Sequence, residues 1–266
     1  MNKIKLDWDL IATFKGKIKN SKNGINRDDA YSHDQINQLL SICSIRGKAI
    51  VLTYASTGIR LSALVSLKLK HIEKIEGLYK FIIDEDDGEY YTFCTPECAK
   101  AIDQYLEFRE RYGKKINPES PLIRDEFTTR LKRKKPVHIT GIAIQTFVLN
   151  YLTKLGLRTT DHINGTRSRK KIKLIHGFRK FFETQLLESD VNYVVTKMLM
   201  GHDLKLEESY FRPKLDYVVK EYNKAIDALT IDPANRLRKK VEKLEVEASQ
   251  LQRLQAAVTA LEQKIK

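Results

Sequence analysis

Apolar residues recur at helical spacing along most of the chain. Ser32 followed three residues later by Gln35 is the pattern of a capping box, and the apolar residues after it recur three or four positions apart. Pro96 opens another amphipathic stretch that ends near Gly113. The same spacing predicts further helices over about 48–57, 61–65, 139–155, 174–188, 191–200 and 213–229.

One stretch has a different pattern. Residues 78–83 and 90–94 are rich in β-branched and aromatic side chains, and residues 84–88 between them, Asp-Glu-Asp-Asp-Gly, are typical of a turn. This pattern predicts a β-hairpin. The expected fold class is therefore mainly α with a small antiparallel hairpin or sheet, an α+β protein.

After Pro233 the apolar residues follow a seven-residue repeat. Leu254 and Leu261 form a second stripe, and Gln255 and Glu262 break the strict heptad. The pattern predicts a long C-terminal helix over 234–266 with imperfect coiled-coil character, which either associates with a neighbour or lies on its own domain. The repeat consists of Leu237, Leu244, Leu251, Val258 and Ile265, with Val241 and Ala248 between them.

The length and composition limit the class of protein. A chain of 266 residues with 42% hydrophobic residues has enough material for a buried core, which we assign to residues 31–230 after a basic N-terminal segment, 1–30. No apolar run approaches the ~20 residues that span a bilayer, and the N-terminus lacks the apolar region of a secretory signal. We therefore expect a cytoplasmic protein with no membrane partner.

The cysteines predict no metal site. Cys43, Cys94 and Cys98 are an odd number in a long chain, which does not indicate a disulfide framework. Cys94 and Cys98 lack the second pair of cysteines or histidines that a zinc finger requires. Neither a metal nor another cofactor is expected.

The charge indicates a polyanionic partner. Lys and Arg total 48 against 34 for Asp and Glu, which gives a net charge of +14, and nucleic acid is the first candidate. Residues 158–173 are strongly basic, with Asp161 as the one acid, and predict a loop that contacts phosphates. The candidate DNA-binding residues in it are Arg167, Arg169, Lys170, Lys171 and Lys173.

Arg60 lies in an otherwise apolar run from Tyr54 to Leu64. A guanidinium in such surroundings needs an anion, because burying an unpaired charge is costly. A phosphate fits, since the planar fork of arginine matches two of its oxygens. The alternative is a structural salt bridge with an internal carboxylate.

Three further candidates follow along the chain. His176 and Arg179 share one face of a predicted helix, because positions three apart are neighbours. Gly201 is typical of a helix C-cap and places His202 at a helix end. Tyr210 comes eight residues later, and a lone tyrosine is most often a core or interface residue.

Taken in order, these residues resemble the catalytic motifs of the tyrosine recombinase (integrase) family, which shares its chemistry with type IB topoisomerases. The first arginine motif is Thr57–Leu64, and it is followed by His176-Gly-Phe-Arg179, Leu199-Met-Gly-His202 and Tyr210. The resemblance covers about residues 30–225 and implies the catalytic domain of that family, with the hairpin as its small sheet.

The resemblance implies a site-specific recombinase that cuts and rejoins double-stranded DNA through a covalent 3′-phosphotyrosine, without metal or cofactor. Tyr210 would be the nucleophile, and Arg60 and Arg179 would hold the non-bridging oxygens of the phosphate. His176 would accept or position the tyrosine proton, and His202 would donate a hydrogen bond. A homo-oligomer on DNA, a tetramer in the family, is expected in the nucleoid.

The chain also departs from the family. The family places a lysine in the hairpin turn as general acid, whereas this turn is acidic and Lys74 and Lys80 are the nearest alternatives. A family acid three residues after the first arginine is Ala63 here. Only about thirty residues stand where members usually have a DNA-clamping domain. A monomeric topoisomerase-like enzyme and a non-catalytic DNA-binding protein with a degenerate site remain alternatives.

Overall fold

The structure, a computed structural model, describes residues 29–75, 77–85, 88–112, 116–125, 137–157, 160–163, 167–170, 172–202 and 211–265. The first helices and the sheet are α1 (His33–Ile42), α2 (Ile45–Thr57), α3 (Leu61–Ser66), β1 (Ile72–Ile75), β2 (Leu78–Glu85), β3 (Gly88–Cys94) and α4 (Pro96–Arg111). The later elements are α5 (Gly141–Lys154), β4 (Thr160–Ile163), β5 (Arg167–Lys170), α6 (Leu174–Glu188), α7 (Tyr193–Leu199), α8 (Leu215–Leu229) and α9 (Pro233–Ile265).

Capping residues in the sequence set the helix ends. The Ser32 hydroxyl accepts a hydrogen bond from the Gln35 backbone N–H at 3.2 Å, and the Gln35 side chain accepts one from the Ser32 N–H at 2.9 Å. The predicted capping box of α1 is therefore confirmed. Pro96 stands in the first turn of α4, behind the N-cap Thr95, as predicted.

The predicted hairpin is confirmed, and it belongs to a larger sheet. Strands β2 and β3 pair antiparallel, with Ile83 opposite Tyr90 and Glu85 opposite Gly88. Strand β1 pairs antiparallel with the other edge of β2, in the order β1-β2-β3. The sequence did not predict β1, because its four residues alternate poorly and two of them are charged.

Helix α2 runs through the centre of the domain. Its residues from Ala49 to Thr57 are all buried, and it packs against α4, α6 and strand β3. Phe181 and Phe182 of α6 are buried in this core. Burial on all sides gives α2 a continuous apolar run instead of a one-sided stripe.

The basic segment 158–173 is not wholly a loop, and that prediction was wrong. Strands β4 and β5 form an antiparallel pair in which Ile163 lies opposite Arg167. Neither strand has the apolar alternation that marks a half-buried strand, so periodicity alone missed them. The sequence between them contains Asn164-Gly165, a strong hairpin signal that would have indicated the pair.

The long C-terminal helix is confirmed as α9. Leu237, Leu244 and Leu251 on its heptad stripe are 65%, 54% and 57% exposed. The alternative that this stripe lies on the chain's own domain is wrong for these residues. Within the described part of the chain, no helix is long and apolar enough to cross a membrane.

Candidate active site

Arg60 lies at the N-cap of α3, directly after the turn that ends α2. Its backbone is extended and its side chain is partly buried. One terminal nitrogen, Nη2, donates a hydrogen bond to the Gly201 carbonyl at 2.8 Å. The guanidinium therefore reaches from α3 to the turn that follows α7.

Arg179 connects the same two turns by side-chain hydrogen bonds. It projects from α6 and is 9% exposed. Its Nη1 donates to the Gly58 carbonyl at 2.7 Å, and its Nη2 donates to the Met200 carbonyl at 2.6 Å. These two acceptors offset part of the cost of burying the charge, and they fix the plane of the guanidinium.

Glycine is required in both turns. Gly58 and Gly201 each have a φ of +60°, a left-handed conformation that other residues adopt at a cost. A Cβ at Gly58 would lie 2.3 Å from the Phe182 ring, and one at Gly201 would lie 2.5 Å from the Tyr90 ring. The turns can therefore approach their neighbours closely enough to present carbonyls to the two arginines.

His202 follows Gly201 at the end of α7, where the sequence predicted a helix end. Its backbone N–H donates to the Lys197 carbonyl at 3.1 Å. Burial lowers the pKa of His202 below its ordinary value, and the positive charges of Arg179 and Lys197 lower it further. The imidazole is thus neutral at pH 7, with one N–H to donate and one nitrogen to accept.

The two arginines share one pocket with His176. The pocket has a volume of about 470 Å³ and includes Lys173 and Gln145, both exposed. None of the described residues that line it is acidic. It is lined by Ile59, Arg60, Leu61, Gln145, Ile172, Lys173, Leu174, Ile175, His176 and Arg179. The pocket therefore concentrates positive charge and suits an anion.

The remaining predicted site residues do not line the pocket's described part, with the exception of Lys173. Tyr210 and Lys171 are outside the described residues. Arg167, Arg169 and Lys170 belong to β5, for which the structure describes the backbone pairing. Lys173 is brought into the pocket, which the sequence had not predicted.

Lys74 and Lys80, the lysines nearest the hairpin turn, lie away from the pocket. Lys80 forms an ion pair with Glu73 at 3.0 Å, and its Nζ lies over the Tyr91 ring, 5.3 Å from the centroid. Alternation along the strands places Lys80 on the face opposite Tyr90, whose ring contacts Gly201. Lys74 is exposed on the edge strand β1, opposite Tyr79. Neither lysine approaches the pocket.

Sequence reasoning also missed Gln145. It is an exposed amide on α5, between the apolar residues Ile144 and Phe147. A signal was present, because α5 contains no acidic residue and few other polar ones. Only the packing of α5 beside α3, where Gly141 meets Leu61, brings Gln145 to the pocket.

Comparisons with known proteins find similarity to recombinases. No family model matches the chain. The tyrosine recombinase XerC of Lactobacillus leichmannii is 26% identical over 180 residues, which cover 67% of this chain and 54% of that protein. The chain thus spans about half the length of the curated relatives it matches.

Two solved structures share the fold. The crystal structure of XerA recombinase superposes with a TM-score of 0.52 at 20% identity, covering 76% of this chain and 65% of that one. The integrase from mycobacterium phage Brujita gives a TM-score of 0.50 at 16% identity, covering 79% and 60%. The mainly helical fold with its small antiparallel sheet is that of tyrosine recombinase catalytic domains, and the sequence is similar to that of a tyrosine recombinase over 67% of the chain.

Proposed function

We propose that the chain is the catalytic part of a site-specific recombinase that cuts and rejoins double-stranded DNA. The observation that carries this proposal is the convergence of Arg60 and Arg179 on the Met200–Gly201 turn beside His202. Three parts of the chain that are far apart in sequence therefore meet at one place. None of the described residues that line the adjoining pocket is acidic. Such a constellation suits a phosphodiester, whose two non-bridging oxygens match two guanidinium groups.

In the proposed reaction Tyr210 attacks the scissile phosphorus. A bond forms between the tyrosine oxygen and phosphorus, and the bond from phosphorus to the 5′-oxygen breaks. Arg60 and Arg179 stabilise the charge that develops on the non-bridging oxygens. The phosphotyrosine bond conserves the energy of the broken bond, so a 5′-hydroxyl of another strand can reverse the step.

The two histidines have different proposed roles, one in proton transfer and one in phosphate binding. His176 lies at the pocket, exposed on the first turn of α6, where it can take or orient the tyrosine proton. His202, kept neutral by burial and by its cationic neighbours, is suited to donate one N–H to a phosphate oxygen. The segment that carries Tyr210 runs between His202 and Phe211, and Phe211 packs against the core.

The departing 5′-oxygen needs a proton, because an alkoxide is a poor leaving group. Lys80 is paired with Glu73 away from the pocket, whereas Lys173 lines the pocket together with both arginines. We assign the proton donation to Lys173. Its ammonium would give one proton to the 5′-oxygen as the bond to phosphorus breaks, leaving a neutral amine.

Substitution of Lys173 by alanine is expected to slow cleavage of an ordinary phosphodiester by roughly 10²–10⁴-fold. A duplex with sulfur in place of the 5′-oxygen should restore most of the rate, because a thiolate leaves without a proton. Single-turnover adduct formation on both duplexes measures this. Arg60→Ala is the control, since it should stay slow on both. An equal loss on both duplexes for Lys173→Ala would mean that Lys173 only binds DNA.

The proposed partner is duplex DNA, bound by several protomers in the nucleoid. The basic residues of β5 and Lys173 flank α6, which carries His176 and Arg179, so they would contact phosphates next to the cleaved bond. A topoisomerase-like monomer would use the same chemistry. The lysine-free acidic hairpin turn favours a second candidate, a DNA-binding protein that does not cleave.

Covalent capture tests the proposal without knowledge of the target. The full chain is incubated with random-sequence duplexes that carry one nick, so that cleavage near the nick releases a short fragment and traps the protein. Adducts that resist SDS are isolated and their DNA is sequenced. We expect one sequence family to be enriched. Non-covalent selection of a sequence without any adduct would support the non-cleaving protein and overturn the recombinase.

A further inference from the structure

Helix α9 presents an apolar stripe that its own domain does not cover. Val241 and Leu254 on this stripe are 52% and 65% exposed, similar to the leucines at the heptad positions. A helix of 33 residues is ~50 Å long, so most of it extends beyond α8, which it contacts near its start. An apolar stripe of this length exposed to water indicates a binding surface.

The stripe is continuous once its spacing is followed residue by residue. From Leu237 to Leu254 the steps are four, three, four, three and three, and the sequence continues with four, three and four to Ile265. This is a heptad pattern with one extra three-residue step at Leu251–Leu254, which tightens a coiled coil locally. Gln255 then lies beside the seam instead of interrupting it. The seam is Leu237, Val241, Leu244, Ala248, Leu251, Leu254, Val258, Leu261 and Ile265.

The start of α9 is held firmly by the catalytic domain. The Glu97 carboxylate, at the N-terminus of α4, accepts hydrogen bonds from the backbone N–H of Ile231 at 2.7 Å and of Asp232 at 3.0 Å. The Asp232 side chain in turn accepts from the Ala234 N–H at 2.8 Å, and Ile231 is fully buried. The helix therefore leaves the domain in a fixed direction, as an arm and not as a loose tail.

We propose that α9 pairs side by side with α9 of a second copy of this chain along this seam. Leu and Val with a small Ala at regular positions are the residues of knobs-into-holes packing between like helices. A seam along a helix of ~50 Å gives a contact near the ~800 Å² per partner of stable interfaces.

The charges beside the seam favour a second copy over DNA. The described residues that flank it carry both signs: Arg238, Glu245 and Glu247. A surface that binds nucleic acid carries mainly positive charge, as the pocket does. A surface that carries both positive and negative charges allows two identical helices to approach each other. The chain as a whole has a net charge of +14, so two copies repel unless a surface such as the seam holds them.

A pair of chains related by a two-fold axis would bind DNA in a defined arrangement. This expectation rests on the proposed function, whereas the pairing itself does not. Identical surfaces that meet face to face relate the two catalytic domains by a two-fold axis. Two domains so related fit two half-sites in inverted orientation. The sequences enriched by covalent capture should therefore contain an inverted repeat.

The test compares two substitutions on the same arm, Leu251→Glu and Val246→Glu. Leu251 on the seam is 57% exposed and Val246 is 58% exposed, so the change in chemistry and exposure is matched. They are five positions apart in the sequence, which places them about 140° apart around the helix. The mass of the full chain is measured by light scattering without DNA, across a dilution series.

We expect wild type and Val246→Glu to have at least twice the monomer mass, and Leu251→Glu to have the monomer mass at the same concentration. Thermal unfolding of the three proteins should coincide for the catalytic domain, because both positions lie outside its core. A monomeric wild type would overturn the pairing. Equal masses for the two variants would do so as well, since the seam would then have no role. A failure of the covalent capture experiment would not affect this result, because the masses are measured without DNA.

Discussion

Replacement of Tyr210 by phenylalanine is expected to abolish covalent capture of DNA, while affinity for the same duplex stays within about twofold. The substitution removes one oxygen atom, the one that would bond to phosphorus. Non-covalent affinity comes mainly from the many contacts between cations and phosphates, which the substitution leaves in place. Adduct formation and equilibrium binding, measured on one captured duplex, separate the two effects.

Tyr217→Phe is the matched control. Tyr217 is 39% exposed on the first turn of α8, and its ring lies 6.1 Å from that of Phe211. It is thus another accessible phenol close in sequence to the proposed nucleophile. If adducts persisted in Tyr210→Phe but vanished in Tyr217→Phe, the nucleophile would be Tyr217 and the proposed role of Tyr210 would be wrong.

Local features of the structure were predictable wherever a residue acts on its own neighbours. Ser32 and Gln35 cap α1 through hydrogen bonds three residues apart, and Pro96 starts α4. The hairpin of β2 and β3 follows from aromatic and β-branched runs around an acidic turn. In each case the interaction lies within a few residues, so the sequence pattern contains all of it.

The arrangement of the site depends on distant contacts that no local pattern contains. The sequence predicted that Arg60 needs an anion or an internal carboxylate, yet its Nη2 donates to the carbonyl of Gly201, 141 residues away. Arg179 similarly reaches Gly58, 121 residues away. Both acceptors belong to the backbone, which every residue shares, so the choice of partner is set only by how α2, α6 and α7 pack.

Charge identified a basic segment, 158–173, but did not predict its structure. The basic run from 158 to 173 was predicted as a loop because its residues lack apolar alternation, and it contains β4 and β5. Lys173 at the end of that run was grouped with the phosphate contacts, and packing brings it to the pocket that Arg60 and Arg179 share. Composition indicates the class of partner to expect, whereas the position of each lysine depends on the strand or helix that carries it.

Arg179→Lys is expected to slow adduct formation by roughly 10²–10³-fold and to destabilise the fold by about 1–3 kcal/mol. Lysine keeps the charge but has a single nitrogen, so it cannot serve both the Gly58 and Met200 carbonyls and also a phosphate oxygen. At least one buried carbonyl then loses its donor. Single-turnover adduct formation gives the first effect, and urea denaturation gives the second.

Arg111→Lys provides the control for the same chemical change. The Arg111 side chain is 78% exposed on α4 and contacts Glu107 at 3.5 Å, so its replacement should change stability by less than about 0.5 kcal/mol. Wild-type adduct formation in Arg179→Lys would show that Arg179 does not hold the phosphate. Because one guanidinium bridges the turn before Arg60 and the turn before His202, loosening it should displace both residues. The loss in rate should therefore exceed what one missing hydrogen bond to the phosphate would cause.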